Sequence, residues 1–454
     1  MAISVSIPAG QAACLGSLVS SFRAAPFSDA AIDAALRHPI WPNGALLRQE
    51  ALWLATGKNG VLGFAGFRKD APRLAAGCFT GSAVEDCIQP GESVCLVVSD
   101  QTRKTAVHRI LPVLLRRLKG RGCKASDFFI LVATGIHRPP TPEELGNILG
   151  ADMGAVFAGR IYLHNPDDES GLMPIGRTHS GHEVRLNRRA VEANRLVLLG
   201  AASYHYHAGF GGGRKSLIPG LAGRATIAYN HSLTLDPEQN RIRPGVEIGR
   251  LDGNPVSAEM LEGARLHPPD FIVNTVLTPD GQLAGVFAGD LDLAHRAACG
   301  LVERIDRVTL DRKADFGVAD ASGAGNWIQA HKALFNAARA VQEAGRIILL
   351  APCPEGLGNE RFRYWVTRPT LAEIYRGLRQ SPEVNGQTAL STRLRGARAI
   401  LVTQLSARDV ADLRIATAPD QEMAVRLTLA ELARAGIKRP TYYLMPEAMA
   451  VVPF

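Results

Sequence analysis

The stretch Ser93-Val-Cys-Leu-Val-Val-Ser99 is a short apolar run that passes directly into the polar residues Asp100-Gln-Thr-Arg103. Runs of this kind, rich in valine and leucine, are typical of the buried strands of a parallel sheet. Similar runs recur and alternate with helical patterns, at Phe128-Phe-Ile-Leu-Val-Ala133, Arg195-Leu-Val-Leu-Leu-Gly200, Asp315-Phe-Gly-Val-Ala319, Arg346-Ile-Ile-Leu-Leu-Ala351 and Ala397-Arg-Ala-Ile-Leu-Val-Thr403. This alternation predicts an α/β fold with largely parallel sheets.

The length of the chain predicts more than one domain. It has 454 residues, whereas a single hydrophobic core rarely serves more than about 250–300. An amphipathic helix is predicted around 294–304, between the two series of strands. We therefore predict an N-terminal α/β domain over 1–304 and a C-terminal α/β domain over 305–436, with 437–454 as a candidate completion of the first domain.

Composition argues against several classes of protein. Hydrophobic residues make up 46% of the chain and charged residues 21%, which is ordinary for a globular protein. The net charge of +8 is compatible with an anionic ligand. The densest basic stretch, at 116–124, has no interleaved aromatic residues and is interpreted as the solvated face of a helix. No segment approaches the roughly 18 apolar residues of a membrane span. We expect neither nucleic acid nor a membrane as a partner.

Cysteine usage and the first residues bear on the compartment. The seven cysteines form no Cys-x-x-Cys pair and are odd in number, which favours reduced thiols over a disulfide framework. The first 22 residues carry no charged side chain, but Pro8-Ala-Gly10 interrupts their apolar stretch and no basic segment precedes it. A secretory signal is therefore not favoured. We predict a cytoplasmic protein.

Two strand ends carry candidate site residues. Asp100 follows one strand and is either the cap of the next helix or, with Arg103, part of an anion site, since a guanidinium offers a bidentate fork to a phosphate or carboxylate. His137 lies two residues after the turn residue Gly135 and has a near-neutral pKa that suits proton transfer. A histidine merely hydrogen-bonded in a loop is an equal alternative.

The densest motif is His205-Tyr-His-Ala-Gly-Phe-Gly-Gly-Gly-Arg-Lys215, followed by His231. Its glycines, including Gly212 and Gly213, permit close approach of the backbone to a ligand, and Lys215 would present an amine there. A plain glycine-rich turn is the alternative. Arg214 precedes the lysine where a Walker A loop needs glycine, so the motif differs from a phosphate loop.

A further motif opens a predicted helix. Gln329 and Lys332 are three residues apart and share one helical face near its N-terminus, which suits a carboxylate. His331 is expected to face solvent. Trp327 is either a wall of the site or a hydrophobic staple.

Taken together and in this order, these motifs resemble the lactate racemase family, over most of the chain. The matching residues are Asp100-x-Thr102-Arg103, Thr134-Gly-x-His137, His205-x-x-Ala208-Gly209-x-x-Gly212-Gly213-x-Lys215, His231, Gln329-x-x-Lys332, Cys353-Pro-Glu-Gly-Leu-Gly358 and Leu444-Met-Pro446. The resemblance implies two α/β domains, the first of them cofactor-binding, with the active site in the cleft between them.

The resemblance also implies a cofactor. This would be a nickel-pincer nucleotide, that is, a Ni(II) pyridinium-3-thioamide-5-thiocarboxylate mononucleotide covalently joined to Lys215, with His231 as the metal ligand. Sulfur donors with one imidazole suit square-planar Ni(II). Asp100, Thr102, Arg103, Gly212 and Gly213 would help hold the nucleotide. Transient contact with cofactor-biosynthesis proteins is implied as well.

The implied reaction is racemisation or epimerisation of a 2-hydroxy acid. Hydride would leave Cα for the cofactor to give a 2-keto acid, with His137 and His205 as the two acid/base residues. Arg103, Gln329 and Lys332 would orient the substrate carboxylate. Ile328 stands where lactate-specific relatives carry tyrosine, and Gly211 is smaller than its counterpart in some relatives, which favours a substrate other than lactate. The alternatives are a non-catalytic anion- or nucleotide-binding protein and a nucleotide-dependent phosphotransferase.

Overall fold

The computed structural model describes residues 11–20, 22, 27–38, 40–42, 65–66 and 83–454. The chain forms two compact units. We call one the insert unit, Arg23–Thr234 with Ile242–Arg304, and the other the terminal unit, Met1–Phe22 with Leu235–Arg241 and Ile305–Phe454. Statements about either unit concern its described residues.

The strands in chain order are β1 Ala13–Ser17, β2 Trp41–Pro42, β3 Ala65–Gly66, β4 Val94–Ser99, β5 Phe128–Ala133, β6 Ile161–Leu163, β7 Leu172–Arg177, β8 Glu183–Asn187, β9 Arg195–Ala201, β10 Tyr204–His205, β11 Gly209–Phe210, β12 Phe271–Leu277, β13 Leu283–Gly289, β14 Arg307–Val308, β15 Ala314–Asp320, β16 Val341–Leu350, β17 Ala399–Val402, β18 Ala416–Thr417, β19 Thr441–Met445 and β20 Val452–Pro453.

The α-helices are α1 Asp29–Arg37, α2 Val84–Cys87, α3 Val107–Gly120, α4 Pro142–Leu149, α5 Ala151–Val156, α6 Arg188–Glu192, α7 Arg224–Ser232, α8 Pro255–Leu266, α9 Leu293–Asp306, α10 Trp327–Ala340, α11 Glu360–Val366, α12 Leu371–Gln380, α13 Val384–Gly396, α14 Ala407–Leu413 and α15 Gln421–Arg434. Short 3₁₀ turns occur at Ala125–Asp127, Glu169–Gly171 and Gly213–Ser216.

The insert unit is built on a six-stranded sheet of order β13-β12-β9-β4-β5-β6. Its pairs are parallel except β12 with β13. In the central strand β4, the residues Val94 to Val98 are fully buried, as expected of a strand with both faces covered. Helix α3 covers this sheet through an apolar face that includes Leu111 and Leu114. The core thus fixes the position of the loops that leave β4, β5 and β9.

The terminal unit has a second six-stranded sheet, of order β1-β19-β15-β16-β17-β18, in which every pair is parallel. Strand β19 lies between β1 and β15, and Tyr442 stacks on Phe316 with 5.0 Å between ring centroids. The α/β class with largely parallel sheets is confirmed. Residues 437–454, which the sequence suggested as a candidate completion of the first domain, contain β19, an interior strand of the terminal unit that pairs on both of its edges.

Three smaller expectations also meet the structure here. The predicted helix around 294–304 is α9, and the division between the units falls between Arg304 and Ile305. Cys14, Cys95, Cys123, Cys299 and Cys353 are free, but Cys87 is in a disulfide, so the prediction of reduced thiols is wrong for that residue. Across the described ranges, no helix combines the length and the apolar character that crossing a membrane requires.

Candidate functional site

Loops that leave three neighbouring strands carry the candidate residues of the insert unit. Strands β9, β4 and β5 are adjacent and parallel, so their carboxyl ends meet at one edge of the sheet. The turn after β4 holds Asp100, the turn after β5 holds His137, and the segment after β9 holds His205 and Lys215. The topology therefore collects residues that are more than a hundred positions apart in sequence.

Asp100 and His137 form a hydrogen-bonded pair. The Asp100 side chain is almost fully buried, and its Oδ2 lies 2.6 Å from His137 Nδ1. Its Oδ1 accepts the backbone N–H of Thr102 at 3.0 Å and the Thr102 hydroxyl at 2.6 Å. Burial raises the pKa of Asp100, but the His137 and Thr102 contacts lower it further, and the net pKa lies below its ordinary value. Asp100 is therefore an ionised carboxylate that receives Nδ1–H of His137.

Hydrogen bonds to neighbouring segments hold the turn that carries His137. The backbone N–H of His137 donates to the Thr134 carbonyl at 2.9 Å, and the Thr134 hydroxyl donates to the His164 carbonyl at 2.8 Å. Gly135 has φ +54° and donates its N–H to the Gly220 carbonyl at 2.9 Å. The glycine permits this left-handed turn, which leaves the His137 side chain partly exposed at the sheet edge.

His205 and Lys215 form a second pair. Strand β10 places His205 Nε2 at 3.4 Å from Lys215 Nζ. The other ring nitrogen, Nδ1, accepts the backbone N–H groups of His207 at 3.3 Å and Ala208 at 3.1 Å. Because backbone N–H groups only donate, the neutral His205 ring carries its proton on Nε2, towards the lysine amine.

Positive charge accumulates around this pair. Burial lowers the pKa of Lys215 to about 7, and the nearby guanidinium groups of Arg103 and Arg214 add to the effect. Burial also lowers the pKa of His205 well below its usual range, with further contributions from the charges of Lys215 and Arg103. The exposed Arg103 and the partly buried Lys215 thus lie close together. Such a cluster attracts an anionic ligand.

His231 is presented by helix α7. Its Nδ1–H donates to the Ile227 carbonyl at 2.7 Å, one turn earlier in the helix. This bond places the lone pair of the neutral ring on Nε2, the arrangement found in metal-bound histidines. Burial lowers the pKa of His231 to about 4, and the charge of Lys215 lowers it too, so the ring is neutral at pH 7.

The glycine-rich segment is shaped by contacts with the protein itself. A Cβ at Gly212, where φ is +80°, would lie 2.7 Å from the Ala201 carbonyl oxygen, and one at Gly213 would lie 2.8 Å from the His295 ring. Asn274 Oδ1 accepts the Gly213 N–H at 2.8 Å, and His295 Nε2–H donates to the Gly211 carbonyl at 2.7 Å. Close packing of the loop thus accounts for these glycines without a ligand.

Arg214 is also part of the structure rather than a phosphate contact. It is buried, with Nη1 at 3.0 Å from Asp292 Oδ1 and Nη2 donating to Ser257 Oγ at 2.8 Å. These bonds tie the 3₁₀ turn that carries Lys215 to helix α8 and to the segment before α9. A phosphate cradle of the Walker type has glycine at this position, and here a buried ion pair takes its place.

The remaining candidates lie on helix α10 of the terminal unit. The cap residue Asn326 accepts the Gln329 N–H through Oδ1 at 3.3 Å, and Gln329 Oε1 accepts the Gly325 N–H at 3.4 Å. Gln329 and Lys332 are both exposed, as their shared helical face predicts. Since Oε1 is engaged by the backbone, the Gln329 amide presents its NH₂ group outward, which suits a carboxylate.

Two other residues of α10, His331 and Trp327, are buried in the structure. His331, expected to face solvent, is buried, with Nε2 at 2.7 Å from Ser391 Oγ. The reason is its spacing: it lies four residues after the buried Trp327 and therefore on the apolar face. Trp327 belongs to the core and donates from Nε1 to Thr392 Oγ1 at 3.1 Å.

The donor set limits the kind of metal centre that fits. Among the described residues, no group of three or more His, Cys, Asp or Glu side chains is arranged to hold a metal ion. A metal at His231 would therefore take its other donors from a bound organic ligand. The Lys215 amine and the His231 imidazole fit such a group, because one is a nucleophile for covalent attachment and the other a neutral nitrogen donor.

A domain model and two relatives match parts of this chain. Residues 78–242 match the Lactate racemase N-terminal domain. A lactate racemase of Lactiplantibacillus plantarum is 36% identical over 284 residues, which is 62% of this chain and 64% of that protein. A lactate racemase of Thermoanaerobacterium thermosaccharolyticum is 30% identical over 285 residues, which is 62% of this chain and 65% of that protein. The matches thus span slightly less than two thirds of each relative.

Solved structures share the fold. The lactate racemase apoprotein of Thermoanaerobacterium thermosaccharolyticum superposes with a TM-score of 0.78 at 24% identity, covering 100% of this chain and 97% of that one. A protein of Thermotoga maritima superposes with a TM-score of 0.59 at 18% identity, covering 82% of this chain and 95% of that one. At these identities the likeness concerns the fold alone.

Proposed function

We propose that the protein belongs to the lactate racemase family and is a racemase or epimerase of a 2-hydroxy acid, a proposal that the domain match and the two relatives support. The observation that carries the proposal is the opposite placement of protons on two histidines. His137 donates Nδ1–H to Asp100, so its Nε2 has a lone pair, whereas His205 carries its proton on Nε2.

This difference suits a reaction that removes a hydroxyl proton and later returns one. His137 is arranged to accept the proton through Nε2, with the Asp100 carboxylate stabilising the imidazolium that forms. His205 presents Nε2–H and would donate this proton to the substrate oxygen, and Nε2 would then regain a proton from solvent or substrate. In the reverse direction the two rings exchange roles. A single base would act on only one enantiomer of the substrate.

The proposal includes the nickel-pincer nucleotide that the motifs imply. Lys215 would hold it covalently and His231 would ligate its nickel through Nε2. When bound, the group supplies an acceptor for the hydrogen on the substrate Cα, so that the carbon becomes planar. The low pKa of Lys215 supports this role, because a neutral amine is the nucleophilic form.

The substrate in this proposal is a small 2-hydroxycarboxylate. Arg103 would hold its carboxylate in the insert unit, and Gln329 and Lys332 would orient it from the terminal unit. That the site lies in a cleft between the two stays a prediction. Ile328 offers no hydroxyl group, and its Cδ1 packs against Gly358, where an added Cβ would lie at 2.9 Å. We therefore propose an acid other than lactate, including sugar acids epimerised at C2.

The proposal also names transient partners, the proteins that build the cofactor, and the test uses them. The chain is produced alongside such proteins, and nickel content, intact mass and stereochemical scrambling of a panel of 2-hydroxy acids are measured. We expect about one nickel per chain, a mass adduct on Lys215 and racemisation of at least one acid. A Lys215→Arg variant keeps a long basic side chain but has no amine for attachment, and it should lose all three. A preparation with neither nickel nor adduct would refute the proposal.

A further inference from the structure

We infer that Asp100 and Thr102 act as positioning residues for His137, and that the turn after β4 serves this histidine rather than the nucleotide. The inference rests on the proposed function and assigns to this turn a role different from the one its sequence suggested. In this role the two residues would hold the His137 ring in a single tautomer.

The hydrogen-bonding capacity of Asp100 is taken up within the chain. Three donors converge on its carboxylate: the His137 ring at 2.6 Å, the Thr102 hydroxyl at 2.6 Å and the Thr102 N–H at 3.0 Å. Only 2% of the residue is exposed. A ligand phosphate would also be repelled by this carboxylate. Asp100 is thus poorly placed to hold a nucleotide and well placed to hold His137.

The neighbouring residues reinforce the same link. Thr102 Oγ1 lies 3.4 Å from His137 Nδ1 as well as against Asp100. Gln101 Nε2 donates to the Arg138 carbonyl at 3.2 Å. The turn after β4 therefore contacts both the side chain of His137 and the backbone of the next residue. Two strand-end turns that are 37 residues apart in sequence are joined at these points.

Other charged groups near this pair act differently. Arg138 is bound by Glu144 on the exterior, with Nη1 at 2.7 Å from Oε2. A charge on His137 helps to lower the pKa of His231, and Arg103 lies on the turn itself. The pair with Asp100 is the contact that fixes a ring nitrogen of His137. His205, by contrast, receives backbone N–H groups in the same place.

A substitution separates positioning from nucleotide binding. In Asp100→Asn one oxygen faces three donors, so the amide NH₂ would turn towards His137 and force its proton to Nε2. We expect ¹⁵N NMR of the apoprotein to show Nδ1–H on His137 in the wild type and Nε2–H in the variant. In the loaded enzyme, kcat should fall by about 10²–10⁴, with KM, nickel content and the Lys215 adduct changed by less than about twofold.

Matched variants control for folding and for nearby charge. Glu144→Gln removes a carboxylate from the next residue's ion pair and should leave the His137 tautomer and kcat unchanged. Asp100→Glu should restore part of kcat. If Asp100→Asn does not fold, the His137 tautomer of the wild-type apoprotein still tests the inference.

Two outcomes would overturn the inference. One is a wild-type His137 protonated on Nε2 alone. The other is a variant that loses nickel and adduct while its His137 tautomer is unchanged, as expected of a nucleotide ligand. Because the tautomer is read in the apoprotein, it tests the inference even if the loaded wild type shows no racemisation, which would refute the proposed function instead.

Discussion

The Nζ atom of Lys215 lies 3.4 Å from Nε2 of His205, whose other ring nitrogen is engaged by two backbone N–H groups. The Nε2–H of a neutral His205 ring points to an amine that must then be unprotonated to accept it. The low pKa of Lys215 is consistent with this arrangement. Near pH 7 a substantial fraction of Lys215 is therefore expected to be neutral and nucleophilic before any ligand binds.

Lys215 should react with an amine-acylating reagent in a pH-dependent way. Its pKa is lowered to about 7, so labelling should rise with a midpoint near pH 7. Removing the Arg103 charge in Arg103→Gln should move that midpoint upward, because one of the cations that disfavour the protonated amine is gone. Peptide mass spectrometry of the apoprotein measures this, with the exposed Lys124 as the internal standard. A midpoint near 10 in the wild type would contradict the prediction.

Lys215 should also destabilise the fold at neutral pH. Its pKa falls from 10.5 to about 7 on folding, so the folded state binds its proton more weakly than the unfolded state. The cost is fully present below pH 7 and disappears as pH rises through 10.5. Lys215→Met should therefore raise stability by on the order of 3 kcal/mol near pH 7, allowing for partial exposure. The thermal midpoint of Lys215→Met should exceed that of the wild type by a large amount at pH 7 and by a small amount at pH 10.

Gly212→Ala should be more destabilising than a glycine substitution in open space. At Gly212 φ is +80° and a Cβ would lie 2.7 Å from the Ala201 carbonyl oxygen. Gly436 has φ +85° but nothing within 4 Å of a built Cβ. Gly436→Ala carries the backbone strain alone, about 1–2 kcal/mol, and Gly212→Ala adds the steric clash. Urea midpoints of the two variants measure the difference, and equal midpoints would show that the loop adjusts freely.

Breaking the Arg214–Asp292 pair should cost more than breaking an exposed pair. Asp292→Asn leaves the guanidinium of Arg214, whose side chain is 3% exposed, without its carboxylate. Such a loss typically costs about 3–5 kcal/mol. Asp167→Asn removes the partner of Arg224, where both side chains are more than half exposed, and should cost about 0–1 kcal/mol. Urea unfolding compares them, and equal losses would argue against a supporting role for Arg214.

Lys332→Met should weaken substrate binding in the loaded enzyme. The side chain is exposed and lies on the face of α10 that also carries Gln329, so the fold should tolerate the change. We expect KM for a 2-hydroxy acid to rise by about 10-fold to 100-fold, from the loss of one charge-assisted hydrogen bond. Lys313→Met, an exposed lysine of the same unit, is the control. An unchanged KM would remove Lys332 from the substrate site.

Much of the fold and of the site was predictable because a buried parallel strand has a recognisable local sequence pattern, an apolar run followed by polar residues. The run 93–99 ends in the polar residues that the structure places at the sheet edge, and the same holds for 128–133. Parallel strands then bring Asp100, His137 and His205 together without any further signal. The burial of His331 was also predictable from its spacing to Trp327, since residues four apart share a helical face.

Other features have no local signal. Asn274 and His295 support the glycine loop from 61 and 84 residues away, and nothing in their own neighbourhoods points to it. The pairing of Asp100 with His137 depends on side-chain direction rather than on sequence spacing. The place of β19 depends on which of the two six-stranded sheets it joins, which the strand pattern alone leaves undecided.

The position of β19 limits when the sheet of the terminal unit can be completed during synthesis. Strand β1, near the start of the chain, pairs with Thr441–Met445, near its end. During synthesis, β1 therefore cannot pair with β19 until residues 441–445 have left the ribosome, whereas every strand of the insert unit's main sheet has already emerged by Gly289. The insert unit is thus free to fold first, and the terminal unit completes its sheet last, when the edge strand β1 pairs with β19.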